Sequence, residues 1–83
     1  MRMPRDLSGV QLATLLRRRY GYTFVRQRGS HMRLVSTTMG YEHHVSVPRH
    51  NPVRVGTLDE IIGQVSEYLG IGQDELMQEL FGR

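Results

Sequence analysis

The chain of 83 residues contains no cysteine and no lysine. Without cysteine, neither disulfide bonds nor a thiolate–metal framework can stabilise the fold, and we expect a cytoplasmic protein. No apolar run approaches the ~20 residues that a membrane-spanning helix requires, so we expect no membrane association. A chain this short buries only roughly 60–65% of the surface of its unfolded state. We therefore expect residues 1–83 to form one small domain with a thin margin of stability.

Several patterns of catalytic residues are also missing. The chain has no phosphate-binding loop, no dinucleotide-binding fingerprint and no serine in a nucleophile-elbow context. The four histidines lack the helical i, i+4 spacing of common zinc sites. The adjacent His43 and His44 should point to opposite faces of a strand, so they cannot readily bind one ion. We accordingly predict no metal site and no cofactor.

The charged residues are divided unevenly along the chain. All eleven basic residues are arginine, and ten of them lie in residues 1–54, together with only two acids. Residues 55–83 contain one arginine and six acids. Genome composition largely explains the preference for arginine, although a guanidinium also suits phosphate. The division itself predicts a nucleic-acid-binding face in the first part of the chain and a solvated or partner-facing helical part in the second.

Apolar periodicity and turn residues predict six elements in the order helix, three strands, helix, helix. Ser8 is the expected N-cap of the first helix and Gly21 its C-terminal glycine. The strands are expected at residues 22–28, 31–38 and 41–47, with Pro48 ending the last. A capping box from Thr57 to Glu60 predicts a second helix with Thr57 as its N-cap and Gly70 as its end; a short helix should follow over residues 73–81. Short turns between the strands imply an α+β fold in which helices cover one face of an antiparallel three-stranded sheet.

Alternation along the strands places His31 on the open face of this sheet. Met32 and Leu34 should face the core, which leaves His31 and Arg33 on the opposite side. His44 should lie on the same side as His31 on the neighbouring strand, where it could contact a substrate. We expect His43 to be a half-buried structural residue.

The stretch from Arg26 to His31 combines an imidazole with nearby guanidinium groups. Arg26, Arg28 and Arg33 flank His31, and Gly29-Ser30 forms a turn signal directly before it. An imidazole with an ordinary pKa of about 6.5 can accept the proton of a ribose 2′-hydroxyl. The arginines would stabilise negative charge at phosphorus and hold the RNA backbone. A structural histidine at the start of a strand remains the alternative interpretation.

Several of these motifs, in this order, resemble the HicA (YcfA-like) toxin family. The resemblance covers about Ser8 to Ile62, and residues 74–80 of the last predicted helix also resemble that of the family. It is carried by Ser8-Gly9, Gly21-Tyr22, Arg26 to His31, Val45 to His50 and Gly56-Thr57-Leu58. It implies a fold like that of a double-stranded-RNA-binding domain and an mRNA interferase that cuts RNA and arrests translation. It further implies His31 as the catalytic histidine, a HicB-type antitoxin that blocks it, and no cofactor.

The sequence departs from the family pattern in two places. Met32 stands where an aromatic residue or a second histidine often follows the motif histidine, which should alter how the substrate packs. Residues 63–70 lengthen the second helix, which affects the packing of the last helix and the docking of an antitoxin.

Taken together, these observations predict an endoribonuclease toxin. We expect His31 to be catalytic and the RNA contacts to come from Arg26, Arg28, Gly29, Ser30, Arg33, His44 and Arg49. Two alternatives remain open at this point. One is a non-catalytic RNA-binding module of the same fold, and the other is a protein-interaction domain whose basic face meets an acidic partner.

Overall fold

The computed structural model of the protein describes residues 3–82. The predicted domain begins at Met1 and ends at Arg83, so its first two residues and its last lie outside the described residues. The elements are α1 (Gly9–Tyr20), β1 (Thr23–Arg28), β2 (His31–Ser36), β3 (His43–Pro48), α2 (Val55–Leu69) and α3 (Gln73–Phe81). The strands form one antiparallel sheet in the order β1-β2-β3. The predicted α+β fold is therefore confirmed.

One face of the sheet and the helices enclose the core. Met32 and Leu34 are buried, as alternation predicted, and so are Val45 and Val47 of β3. They pack with apolar residues from the three helices, including Leu12, Leu16, Leu58, Ile62, Val65 and Leu76. The six residues of β1 are all exposed, so this strand is an edge strand that extends beyond the helical cover. The opposite face of the sheet is therefore left free for a site.

The first helix is anchored beside the end of β3. Ser8 and Gln11 form a capping box at its start, and Gly21 ends it with φ 71°, both as expected for these residues. Gly9 donates its N–H to the carbonyl of His50 at 2.8 Å. A Cβ at Gly9 would lie 1.9 Å from the carbonyl oxygen of Pro48, so only glycine permits this approach. Since Pro48 pairs with His31 in the sheet, the contact also fixes the end of the strand beside His31.

The second helix begins three residues earlier than the capping signature indicated. The prediction of Thr57 as N-cap is wrong, because Arg54 occupies that position and makes no side-chain capping bond. Val53 is buried and donates its N–H to the carbonyl of Leu7, which holds the chain just before the helix. Leu58 then donates to the carbonyl of Arg54 at 2.9 Å and closes the first turn. The contact of Val53 with Leu7 thus holds the start of α2 in place of a side-chain cap, and Glu60 has no capping role.

The strands are one or two residues shorter than predicted at three of their ends. The second strand ends at Ser36 rather than residue 38. The hydroxyls of Ser36 and Thr38 lie 2.9 and 2.7 Å from the carbonyl of Tyr20 at the end of α1. These bonds turn the chain away from the sheet and tie β2 to α1.

Candidate nucleic-acid interface

The open face of the sheet carries a cluster of basic residues. In the β1–β2 pairing, Arg28 lies opposite His31 and Arg26 opposite Arg33. In the β2–β3 pairing, Arg33 lies opposite Ser46. Directly opposed residues share a face of the sheet, so these side chains converge on one surface. All are exposed, and we call this set the basic face: Arg26, Arg28, His31, Arg33 and Ser46.

The two-residue turn at Gly29-Ser30 sets two arginines of β1 on this face, and a bulge separates them from Phe24. Phe24 pairs with Leu34, a core residue, but Arg26 pairs with Arg33 because the register shifts between Phe24 and Arg26. Regular alternation from Phe24 would have directed Arg26 toward the helices. The extra residue, Val25, reverses that alternation. The turn at Gly29-Ser30 therefore sets Arg26 and Arg28 beside His31, and the bulge places Phe24 on the opposite face.

The side chain of His31 is exposed and is held at one nitrogen. Its Nδ1 lies 3.3 Å from Oγ of Ser46 on the neighbouring strand. Within residues 3–82, Nε2 has no hydrogen-bond partner. An imidazole held at Nδ1 presents Nε2 for proton transfer. This arrangement agrees with the expectation that His31 faces solvent among cations.

Two depressions meet at His31, and both are lined by His31, Arg33 and Ser46. The smaller, about 330 Å³, adds Arg26 and Arg28. The larger, about 610 Å³, runs toward α2 and continues with His44, Pro48, His50, Arg54, Thr57, Glu60, Ile61 and Gln64. His31 thus lies at the junction between a depression lined mainly by arginine and one with mixed polar and apolar walls.

His44 lies on the same side of the sheet as His31, as predicted. It pairs with Val35 and lines the larger depression. Its Nε2 lies 3.3 Å from a carboxylate oxygen of Glu42, and both side chains are exposed. An exposed pair of this kind contributes little to stability, so His44 remains available to a ligand.

His43 belongs to the aromatic interior rather than to the basic face. It is half-buried, its Nδ1 lies 2.7 Å from the hydroxyl of Tyr22, and its ring stacks on Tyr68 at 4.7 Å between centroids. Burial lowers the pKa of His43, the neighbouring His44 lowers it further, and Glu67 partly opposes both effects. The expectation of a half-buried structural residue is confirmed.

The turn residues lie beside the basic face, but the guanidinium of Arg49 does not. Gly29 adopts φ 58° between β1 and β2, and the carbonyl of Ser30 accepts the N–H of Arg49. Nη1 of Arg49 donates to Oε1 of Gln27 at 3.1 Å, and Gln27 pairs with the core residue Met32. The reason is alternation: Pro48 lies opposite His31, so the next residue points to the other side. The structure therefore does not bring Arg49 together with the other predicted RNA contacts.

With this geometry established, comparison with known proteins gives one result. Residues 10–66, more than half of the chain, match the family model of the HicA toxin of bacterial toxin-antitoxin. The chain belongs to the HicA toxin family. Searches of curated proteins and of solved structures give no match. As a HicA family member, it is the toxin component of a toxin–antitoxin pair, and all residues of the basic face lie inside the matched range.

Sequence reasoning missed part of the site of this HicA family member. Ser46 was not assigned to the site, although it alternates with the buried Val45 and Val47. The wall contributed by α2, with Glu60 and Gln64, could not be foreseen because it depends on how the helix packs against the sheet. Because Ile61 and Ile62 are buried, helical spacing shows only that Glu60 and Gln64 face outward.

The described residues offer no group of three or more histidine, cysteine, aspartate or glutamate side chains that could hold a metal ion. None of the helices within residues 3–82 is long and apolar enough to cross a membrane.

Proposed function

We propose that this HicA toxin is an endoribonuclease, an mRNA interferase that acts in the cytoplasm and uses His31 as its catalytic residue. The observation that carries the proposal is the exposed imidazole of His31 among Arg26, Arg28 and Arg33 on one uncovered face. A polyanion laid across this face would place a phosphate against the arginines and a ribose against Nε2. The helices occupy the other face and leave this approach open.

The chemistry is transfer of the phosphate to the neighbouring 2′-oxygen. Nε2 of His31 accepts the 2′-hydroxyl proton while the 2′-oxygen forms a bond to phosphorus. The bond from phosphorus to the 5′-oxygen breaks, and that oxygen takes up a proton. The products are a 2′,3′-cyclic phosphate and a 5′-hydroxyl. The arginines stabilise the charge that develops on the phosphate oxygens, and Ser46 holds the ring of His31 in orientation.

Cleavage in the presence of a chelator tests this proposal. Purified protein and His31→Ala are incubated with RNA and the chelator, and product ends are determined by mass spectrometry. Arg18→Ala is the control, because it removes an exposed cation from α1, away from the basic face. We expect the native protein and Arg18→Ala to release cyclic phosphate ends and His31→Ala to release almost none. Equal cleavage by all three, or by none, would refute the proposal.

RNA affinity distinguishes the two alternative functions. A non-catalytic RNA-binding module would bind RNA with or without His31 and would not arrest growth when expressed in either form. A protein-interaction domain with an acidic partner would show no affinity for RNA even at low salt. The nuclease arrests growth only when His31 is present.

We further propose that a HicB-like antitoxin binds this toxin and blocks His31. The basic face is the natural target, since an acidic or RNA-mimicking surface placed there would exclude the substrate. The antitoxin gene should adjoin and overlap the toxin gene. Its product, purified and added in equimolar amount, should abolish RNA cleavage, and full cleavage in its presence would contradict this part of the proposal.

A further inference from the structure

We propose that Glu60 selects guanine in the nucleotide beside the cleaved phosphate. The inference rests on the proposed function, because it assumes that RNA crosses His31. It starts from the position of one carboxylate. Glu60 is exposed on α2 and lines the larger depression together with His31, which lies across that depression on β2.

The surroundings of Glu60 are basic, yet no cation holds it. Five residues of the same depression are arginine or histidine: His31, Arg33, His44, His50 and Arg54. Within residues 3–82, the only ion pair joins His44 to Glu42. A carboxylate repels phosphate. We therefore infer that the part of the RNA that meets Glu60 is not a phosphate but a group that donates hydrogen bonds.

The helix itself gives Glu60 no structural role. The capping box that would have used its side chain does not form, because α2 begins at Val55 with Arg54 as N-cap. The first turn of α2 contains no acidic residue, and the interaction with the helix dipole falls off beyond that turn. Neither capping nor the dipole therefore accounts for a glutamate at this position.

The two depressions differ in the part of a nucleotide that they suit. The smaller one presents three arginines and fits phosphate. The larger one extends from the strands to α2, where Glu60 and Gln64 stand one helical turn apart on its wall beside Ile61. Its volume, about 610 Å³, lies within the usual range for ligand sites. A strand of RNA that places phosphate over the arginines can direct the adjoining base toward α2.

Guanine is the base whose edge matches a carboxylate. Its Watson–Crick edge presents N1–H and the N2 amino group side by side, and these two donors fit the two oxygens of Glu60. Adenine and cytosine present one amino donor next to an acceptor nitrogen, and uracil presents one N–H between two carbonyls. The side-chain amide of Gln64 can donate to O6 of guanine, whereas adenine and cytosine present an amino donor in that position. Single-stranded RNA is commonly read in this way, through unstacked bases.

Binding of uncleaved RNA tests the inference separately from catalysis. The affinity of the His31→Ala protein is measured for short oligouridylates that contain one central guanine, inosine or adenine. Inosine lacks only the N2 amino group. We expect guanine to bind about tenfold more tightly than inosine, since one of the two hydrogen bonds to Glu60 is lost. Adding Glu60→Gln to this protein should reduce the ratio to about twofold or less, because an amide offers only one acceptor oxygen.

Glu67→Gln in the same background is the matched control, since it makes the same change on the same helix outside the depressions at His31. It should keep the full preference. Equal binding of guanine and inosine, or a preference that survives Glu60→Gln, would overturn the guanine assignment and leave the nuclease proposal standing. No binding of any oligonucleotide would overturn both.

Discussion

At the scale of single residues, burial gives two histidines of the same chemistry different roles. His31 stands exposed on the basic face with only Nδ1 engaged, whereas His43 is half-buried between Tyr22 and Tyr68. Alternation along the strands predicted both placements. It should also have placed Arg49 off the basic face, because Pro48 shares the side of His31. The expectation that Arg49 contacts RNA beside His31 did not take this parity into account.

His43 makes folding stability depend on pH. Because burial lowers its pKa in the folded state, the unfolded chain binds a proton first as the pH falls below about 6.5. The contribution of His43 is therefore complete above that pH and is lost as the pH falls toward the folded-state pKa. We expect the urea midpoint to be lower at pH 5.5 than at pH 7.5, and His43→Gln to reduce this difference. In the His50→Gln control, an exposed histidine is removed and the difference should persist; an unchanged pH dependence in His43→Gln would contradict the assignment.

At the scale of elements, contacts between segments set features that local sequence signals do not predict, namely the start of α2 and the bulge in β1. The start of α1 followed its capping residues, but the start of α2 did not follow the Thr57 signature, because buried Val53 anchors the chain earlier. The bulge at Val25 is similar: no turn residue indicates it, yet it lets Phe24 face the core side while Arg26 and Arg28 lie on the basic face. Periodicity predicts which elements form, and long-range packing sets their ends and irregularities.

The contact of Gly9 with β3 gives the prediction at this scale. Gly9→Ala places a methyl group 1.9 Å from the carbonyl oxygen of Pro48, so backbone must move. We expect a loss of about 1–3 kcal/mol in the free energy of unfolding, the usual cost of overpacking. Gly56→Ala is the matched control, because it lies in α2 with open space around it and should be neutral or slightly stabilising. Equal denaturation curves for Gly9→Ala and the native protein would show that the close approach is not required.

At the scale of the whole molecule, part of the charge division along the sequence reappears in space. Arginines of β1 and β2 collect on the open face of the sheet, while Asp74, Glu75 and Glu79 lie on α3. Composition and strand order were enough to predict the arginines and His31 of this face, but not Ser46. They could not predict the α2 wall of the site, because its residues approach His31 only after the helix packs beside β3.

The salt dependence of RNA binding reports how many cations contact phosphate. With three arginines on the basic face, the slope of log affinity against log salt should reach about −2 for single-stranded RNA. Arg33→Ala should make the slope less steep by about 0.7, since one phosphate contact is lost. Arg18→Ala should leave it unchanged. Equal changes of slope in the two variants would mean that binding does not depend on the basic face.

The most direct test of the central role of His31 is the single-turnover rate of RNA cleavage at saturating protein, which separates the chemical step from binding. We predict that His31→Ala lowers this rate by about 10²–10⁴-fold, the usual contribution of a general base, with little change in RNA affinity. A rate within about twofold of the native value, at the same saturation, would show that the imidazole takes no part in the cleavage step.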